Sequence, residues 1–423
     1  HPGPAQGRVI DRADAAMPDV QLLSNGSYHV LVNSEGSSCS RWGELPLSRW
    51  QPDPLGARGG LACVLRDSAS GELWSPTLAP LYGEPERYEA VFAEGRASFR
   101  REERGLAILS EVVVAPEDDI ELRHIRIRNG GDVPRTLEVT SQVGLLALDE
   151  AGAQLRIDAP AQAMLCTLGP GAPTVLHLMA VRGEAGAPEY SAACHDPLGA
   201  LPPFEAPPGE PVPVSRPALA IRRSITLAPS QEFAIDLVLG AAPTPAAARE
   251  LAVRYAGTQA VGQAVEAAWT HGQAFLRAAG ISETQAQLYN RLAGCLLDPV
   301  PGLRADAGVI ERNVRGRAAL RPYGVDGSRP LLVLHPGPDS SLAREVFQAH
   351  GYWRARGFEA DLLALCEGRA VFEQLMALAS DESGGAEGIH VQLLADVPQE
   401  DRILLRAAAQ VLLLEERGSL PEQ

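Results

Sequence analysis

The chain has 423 residues, enough for two or three domains that each bury a core. Its 37 basic and 53 acidic residues give a net charge of −16, which disfavours binding to nucleic acid and to anionic membrane surfaces. Every basic side chain is an arginine, so a Walker-type phosphate lysine, a Schiff-base lysine and a Ser-Lys dyad are excluded.

The cysteines and histidines give no sign of a metal or cofactor site. The six cysteines are scattered without a C-x-x-C pair and no signal peptide is recognisable, a pattern typical of reduced cytoplasmic thiols. The nine histidines lack metal-ligand spacing. Because the chain begins at His1 without a methionine, we expect it to be a processed or excised fragment. No cofactor or metal is predicted.

The region from Tyr28 to about Gly240 is predicted to be β-structure, since short runs rich in β-branched residues alternate with Gly, Pro, Asn and Asp. In "HIRIR" Ile125 and Ile127 share one face and His124, Arg126 and Arg128 the other, as in a strand with one face in solvent. Hairpin turns are predicted at "SASG" (68–71) and "NGG" (129–131), and an exposed proline-rich loop at 195–216. The pattern favours a large antiparallel sandwich.

Helical periodicity begins at Pro245. One helix is predicted over 246–280 and a second from Ser282, which is a plausible cap. In the last hundred residues "PLLVLH", "FEADLLALC" and "GIHVQLL" are predicted strands, each followed by a helical stretch, the last being "PQEDRILLRAAAQVLLLEE". This alternation predicts a small α/β unit with three parallel strands, and the "HPGPDSS" loop lacks a nucleotide-binding motif.

Two Ser-Arg-Trp triplets, at 40–42 and 48–50, are the main candidates for ligand contact. An indole face can stack on a sugar ring, and an arginine offers donors to hydroxyl groups. The alternative is structural: both tryptophans are mainly buried, and both arginines bond to backbone carbonyls or acidic neighbours at the sandwich rim. We favour the structural role and keep Arg41, Trp42, Arg49 and Trp50 as candidate carbohydrate-binding residues.

Two further clusters are interpreted as structural. Cys194, His195 and Asp196 are adjacent, but neighbouring side chains on an extended chain point in opposite directions, so a loop is favoured over a catalytic triad. The acidic stretch 115–121 contains four carboxylates without the spacing of a calcium loop. A charged turn between two strands explains it better than a calcium site or a catalytic pair.

The ordered series of motifs resembles the cyclic β-1,2-glucan synthases. Its pieces are "LLSNGSYHVLVNSEGSSCSRWGELPLSRWQPD", "LRDSASGELWSP", "ERYEAVFAEGRASFRRE", "SEVVVAPEDDIELRHIRIRNGGDVPRTLEVTS" and, downstream, "NVRGRAALRPYGVDGSRPLLVL" and "VFQAHGYWRARGFEADLLAL". They are similar to the first β-supersandwich and following linker of the carboxyl-terminal, cellobiose phosphorylase-like region of those enzymes (glycoside hydrolase family 94, formerly glycosyltransferase family 36).

The resemblance implies a very large inner-membrane parent. Its amino-terminal glycosyltransferase builds linear β-1,2-glucan from UDP-glucose, and a middle module cyclises the glucan. The carboxyl-terminal, phosphorylase-like module trims the glucan or sets its chain length. The general-acid aspartate of that last module lies in an F-R-D-Q-like motif of an (α/α)6 barrel, and this sequence has neither the motif nor the barrel helices. No catalytic residue is therefore assigned.

The expected fold is mainly β with α and α/β parts: a poorly ordered leader (1–16), a large antiparallel β-supersandwich (17–240), a helical linker (241–316) and a small, mostly parallel α/β domain (317–423). The expected function is a non-catalytic portion of a synthase on the cytoplasmic side of the inner membrane. Its partners would be the adjacent modules of the parent and the β-1,2-glucan. The alternatives are a catalytically competent β-glucan phosphorylase or hydrolase fragment and a free-standing carbohydrate-binding module.

Overall fold

The computed structural model of the protein describes residues 7–11, 19–48, 60–146, 152–192, 210–214, 218–382 and 388–423. Two compact units divide the chain, one built mainly from Gln21–Phe275 and the other mainly from Leu276–Gln423. The four segments expected from the sequence and their bounds stay predictions. Arg8–Ile10 of the expected leader forms a strand, whereas most of the leader and of the proline-rich loop lies outside the described residues.

Strands dominate the first unit. Before the first helix the described residues form β1 (Arg8–Ile10), β2 (Val20–Ser24), β3 (Tyr28–Asn33), β4 (Ser38–Trp42), β5 (Leu45–Pro46), β6 (Ala62–Asp67), β7 (Leu73–Trp74), β8 (Arg87–Ala93), β9 (Arg96–Glu103), β10 (Leu106–Val114), β11 (Ile120–Asn129), β12 (Arg135–Gly144), β13 (Gln154–Asp158), β14 (Ala163–Thr167), β15 (Thr174–Arg182), β16 (Glu189–Ser191), β17 (Val212–Pro213), β18 (Ala218–Leu227) and β19 (Glu232–Ala242).

These strands form three sheets. The largest has the order β1-β8-β9-β10-β11-β19-β15-β14-β13-β17, a second has the order β16-β18-β12-β6-β7, and a third has the order β2-β3-β4-β5. Paired strands are antiparallel; for example, Ile108 of β10 lies opposite Ile127 of β11. The predicted antiparallel sandwich is confirmed.

The core of this unit lies between the ten-stranded sheet and the two smaller sheets. Ile125 and Ile127 of β11 lie in one buried cluster with residues of the smaller sheets, such as Val30 of β3, Leu65 of β6 and Val139 of β12. On the opposite face of β11 His124 and Arg126 are partly exposed and Arg128 is exposed, as the alternation in "HIRIR" predicts. Period-2 burial therefore fixes which face of the strand meets the core.

The two predicted hairpins have different outcomes. The "SASG" turn joins β6 to β7, which pair antiparallel, so this hairpin is confirmed. The "NGG" turn is not a hairpin, because β11 belongs to the ten-stranded sheet and β12 to the five-stranded sheet. The Asn129 side chain holds this crossover by donating to the Val133 carbonyl at 2.8 Å and accepting from the Gly131 N–H at 3.0 Å. Turn residues reverse the chain without specifying the partner of the next strand.

Helices begin after β19 as α1 (Pro245–Ala256), α2 (Thr258–Ala279), α3 (Glu283–Leu297) and the short α4 (Ala307–Glu311). The single helix predicted over 246–280 is wrong: it breaks at Gly257, whose backbone is extended (φ −86°, ψ 145°). Thr244 caps α1, and the cap predicted at Ser282 is confirmed by a capping box with Gln285. The region predicted to be helical is therefore helical, but it forms two helices, α1 and α2, in place of the single helix predicted over 246–280.

Helix α1 and part of α2 cover the outer face of the ten-stranded sheet. Ala248 and Ala252 of α1 and Val261 of α2 belong to one buried cluster with Leu176 of β15 and Val238 of β19. Small residues on the helices let their backbones lie close to the sheet.

The second unit contains a parallel sheet of the order β22-β21-β20-β23. Its elements are β20 (Leu331–His335), α5 (Ser341–Ala355), β21 (Asp361–Cys366), α6 (Arg369–Glu382), β22 (Ile389–Leu393), α7 (Gln399–Ala408) and β23 (Val411–Leu414). The three predicted strands are parallel, as expected. The helix predicted through 411–414 is wrong, because α7 ends at Ala408 and "VLLL" pairs with β20.

No helix in the described ranges is both long enough and apolar enough to cross a membrane.

Candidate functional site

The acidic turn, residues 115–121, joins β10 to β11 and includes the first two residues of β11. Its side chains contact residues that the sequence analysis treated separately. The Asp119 carboxylate accepts from the Trp42 indole N–H at 2.7 Å and from the Asn25 amide at 3.2 Å. The Ser27 hydroxyl donates to the same carboxylate. Trp42 is partly buried and packs against the sandwich core. One carboxylate therefore fixes both the indole of β4 and the turn between β2 and β3.

The neighbouring carboxylate, Asp118, holds helix α1. Its oxygens accept from the Arg254 guanidinium at 2.6 and 2.7 Å and from the Tyr255 hydroxyl at 2.8 Å. Burial, reinforced by this hydrogen bond, raises the pKa of Tyr255 well above its usual value. Because the carboxylate oxygens of Asp118 and Asp119 are engaged, the acidic turn works as a structural latch between sheet, hairpin and helix.

The first arginine of the candidate motif lies at the rim. Arg41 donates through Nε to the Gly43 carbonyl and through a terminal nitrogen to Glu44, both at 2.9 Å. These are the backbone and acidic contacts expected of a structural arginine. A carbohydrate-binding role for Arg41 and Trp42 stays a prediction, and Arg49 and Trp50 lie outside the described residues.

An open cleft of about 430 Å³ runs beside the acidic turn. Its walls include Asn25 and Ser27 from the turn after β2, Glu117 from the acidic turn, and Glu250 and Arg254 from α1. Hydroxyl, amide and carboxylate groups of this kind suit a polar, uncharged ligand better than an anion. Within the part of the chain that the structure describes, no group of three or more His, Cys, Asp or Glu side chains is placed to hold a metal ion.

A buried polar seam crosses the sandwich interior. Glu121 and Arg123 of β11 point inward, where Ser40 of β4 donates to Glu121 at 2.6 Å and Arg123 donates to Ser38 of β4 at 2.5 Å. The two charged side chains are 3.9 Å apart. Burial raises the pKa of Glu121 and lowers the pKa of Arg123. The seam ties the four-stranded sheet to the ten-stranded sheet through paired, hydrogen-bonded groups.

A second interior link joins the ten-stranded sheet to the five-stranded sheet. His177 of β15 is fully buried, with Nδ1 2.9 Å from the Val238 carbonyl and Nε2 2.8 Å from the Ser141 hydroxyl of β12. Burial lowers the pKa of His177 to about 4, so the ring is neutral at pH 7. A neutral imidazole donates from Nδ1 to the carbonyl and accepts at Nε2 from the serine.

Thiol chemistry is disfavoured at the described cysteines. Cys39, Cys63, Cys166, Cys295 and Cys366 are free, and burial raises the pKa of Cys63 and of Cys166 to about 12. Thiols with such pKa values are not nucleophilic at neutral pH. Cys194, His195 and Asp196 lie outside the described residues.

Sequence reasoning singled out Trp42 and the acidic turn but missed that the Trp42 indole donates a hydrogen bond to Asp119 of that turn. Trp42 and Asp119 are 77 positions apart, and no local pattern connects them. The interior position of Glu121 and Arg123 could have been found, because period 2 places both on the face of Ile125 and Ile127.

Comparison with known proteins finds two similarities in sequence. Residues 6–159 match the family model "Glycosyl hydrolase 94, supersandwich domain". The chain is 27% identical over 427 aligned positions to the cyclic beta-(1,2)-glucan synthase NdvB of Rhizobium meliloti (strain 1021), an alignment that covers 94% of this chain. The chain spans 15% of the length of that relative.

Solved structures resemble the chain more remotely. A putative kojibiose phosphorylase from human microbiome has a TM-score of 0.40 at 8% identity, covering 70% of this chain and 42% of that one. A bacterial glucoamylase complexed with acarbose has a TM-score of 0.39 at 8% identity, with the same two coverages. In sequence, residues 6–159 are therefore similar to the glycosyl hydrolase 94 supersandwich domain, and nearly the whole chain is similar to part of a cyclic β-1,2-glucan synthase.

Proposed function

We propose that this chain is a non-catalytic sandwich and linker portion of a cyclic β-1,2-glucan synthase, where it organises the neighbouring catalytic modules. The observation that carries the proposal is the coverage of the alignment, which takes in nearly all of this chain but a small share of the relative. The module would therefore act within a much larger enzyme whose reactive centres lie in other segments.

The contacts of the acidic turn support a structural role. Asp118 accepts hydrogen bonds from Arg254 and Tyr255. Asp119 accepts hydrogen bonds from Trp42, Asn25 and Ser27. Neither carboxylate is therefore free to act as a general acid or base. A glycosidase needs two carboxyl groups that face the scissile bond, one of them able to give up a proton. Carboxylates committed to neighbouring side chains serve positioning better than proton transfer.

The experiment is an activity assay on the purified 423-residue chain. It is incubated with linear and cyclic β-1,2-glucan, with and without phosphate, and glucose 1-phosphate and new reducing ends are measured. We expect neither product above the blank. Product release that disappears on a single carboxylate substitution, such as Glu117→Gln in the cleft, would contradict the proposal and favour a catalytic fragment.

The proposed location and partners follow from the same role. Within a membrane-anchored synthase the module would stand on the cytoplasmic side of the inner membrane and contact the adjacent modules. Size-exclusion chromatography of the chain mixed with the flanking segments of its parent tests this. Co-elution is expected, and independent elution of every segment would contradict an organising role.

A further inference from the structure

A small interior cavity lies where the three sheets of the first unit meet. Its floor is the inner face of the ten-stranded sheet, where Ser110 and Val112 of β10 lie beside Arg123 and Ile125 of β11. Its other walls come from the turn between β3 and β4, the start of β6 and the loop that follows β7. Every residue that lines it is buried or half-buried, so this is an interior space rather than a surface cleft. We name it the Arg123 cavity.

Two side chains on the floor of the Arg123 cavity keep a polar atom without a hydrogen-bond partner among the residues that the structure describes. They are the hydroxyl of Ser110 and the Nε of Arg123. Ser110 is 3% exposed and Arg123 is 6% exposed, so surface water does not serve either atom. Each such atom has lost its hydration on folding, and native interiors normally supply a replacement partner.

The sheet places these two groups diagonally across one face. Ser110 lies opposite Ile125 and Arg123 lies opposite Val112, and all four residues line the cavity. Diagonal neighbours in an antiparallel pair have Cα atoms about 7 to 8 Å apart. A water molecule that makes two hydrogen bonds of about 2.8 Å spans such a gap. Both groups are therefore within reach of one small molecule.

The cavity has room for one water molecule. About 20 Å³ of it is open to the centre of a water-sized sphere, and one buried water needs roughly 10 to 15 Å³ on this measure. Sites for sugars or nucleotides are far larger. A third polar group is also present, because Thr77 lines the cavity and its hydroxyl donates to the Ala79 carbonyl at 2.9 Å. The oxygen of that hydroxyl keeps lone pairs for another donor.

The charges beside the cavity favour a neutral ligand that both donates and accepts hydrogen bonds. The Glu121 carboxylate lies 3.9 Å from the Arg123 guanidinium and offsets its charge, so an anion gains little there. A cation would be repelled by the guanidinium. A water molecule can accept from the Arg123 Nε–H and from the Ser110 hydroxyl and still donate to Thr77. A buried water typically makes about three hydrogen bonds of this kind.

We propose that the Arg123 cavity binds one structural water molecule. The water accepts hydrogen bonds from the Arg123 Nε–H and the Ser110 hydroxyl and donates to the Thr77 hydroxyl. It solvates the guanidinium of a buried ion pair and joins the ten-stranded sheet to the loop that follows β7. This inference does not depend on the function proposed for the chain.

Oxygen-17 magnetic relaxation dispersion of the 423-residue chain tests the site, because it counts water molecules that stay bound long enough to tumble with the protein. Ser110→Val is the key variant, since it removes the hydroxyl and its added methyl group fills the space. We expect it to lose one long-lived water relative to the wild type. Val139→Ala is the control, because Val139 is buried and does not line the cavity. Its truncation opens an apolar space that stays dry, so the count should not change.

Urea unfolding adds a readout whose sign depends on the water. With water bound, Ser110→Val displaces it and leaves the Arg123 Nε–H unpaired, so the urea midpoint of the first unit should fall. Without water, the same change removes an unpaired hydroxyl and fills space, which would raise the midpoint. Ser110→Ala leaves room for the water, so it should keep the wild-type water count and lower the midpoint less than Ser110→Val does.

A crystal structure of the wild-type chain completes the test without relying on the folding of a variant. We expect one water within about 3.2 Å of both the Arg123 Nε and the Ser110 Oγ. Loss of one long-lived water in Ser110→Val, together with a lower urea midpoint, supports the site. The site is overturned by a cavity that shows no electron density or the density of an ion, by an unchanged water count in Ser110→Val, or by a raised midpoint.

Discussion

Removing the Trp42 indole should destabilise the first unit. Truncating a fully buried tryptophan costs about 3 to 5 kcal/mol, and the partial burial of Trp42 reduces this packing loss to about 2 kcal/mol. Loss of the hydrogen bond to the Asp119 carboxylate adds about 1 to 2 kcal/mol. Trp42→Ala should therefore lower the free energy of unfolding by about 3 to 4 kcal/mol.

Urea unfolding followed by far-UV circular dichroism measures this loss, with separate transitions fitted for the two compact units. Trp42→Phe keeps most of the packing but removes the indole N–H, so it should lose about half as much. Trp269→Ala is the matched control, because that indole is 43% exposed and its replacement in a helix should cost less than about 1 kcal/mol.

The same variants are titrated with β-1,2-gluco-oligosaccharides. An unchanged urea midpoint for Trp42→Ala, together with lost oligosaccharide binding, would refute the structural reasoning and make Trp42 a sugar contact.

Two further predictions concern buried polar groups of the first unit. Tyr255→Phe removes the hydroxyl bonded to Asp118 and should cost about 1 kcal/mol in a urea titration. Arg254→Ala should cost less, because that side chain is 52% exposed; a larger loss for Arg254 than for Tyr255 would contradict this order. Since the pKa of His177 is lowered to about 4, the folded chain binds a proton less readily than the unfolded chain, whose histidines have a pKa of about 6.5. The stability that depends on His177 is thus present above about pH 6.5 and falls by about 3 kcal/mol as the pH approaches 4. His177→Gln should flatten this dependence in urea titrations between about pH 7 and 4.5, and an unchanged slope would show that other groups cause it.

Much of the fold was predictable because burial imposes a period on the sequence. In "HIRIR" alternate residues face the core and the solvent, and the structure places them accordingly. Strand β23 was missed because its burial shows no such period. Its "VLLL" is buried on both faces and follows a helix without a glycine or proline, so periodicity could not separate it from α7.

The candidate site was less predictable, because its contacts join residues far apart in the sequence. Local reasoning could recognise the acidic turn as a charged turn and favour burial of Trp42 over an exposed sugar platform. It could not assign Asp119 as the partner of Trp42 or Asp118 as the partner of Tyr255, since these pairs depend on how the sheets stack.

The latch between the acidic turn and α1 has a consequence for the order of folding. Asp118 and Arg254 are 136 positions apart, whereas the hairpin of β10 and β11 closes across the short acidic turn itself. Contacts that enclose a long loop form after local ones, because the entropy of closure must be offset first. The contact between Asp118 and Arg254 therefore forms after the β10–β11 hairpin has closed. Weakening the latch would quicken the release of the helix during unfolding and leave the speed of sheet formation almost unchanged.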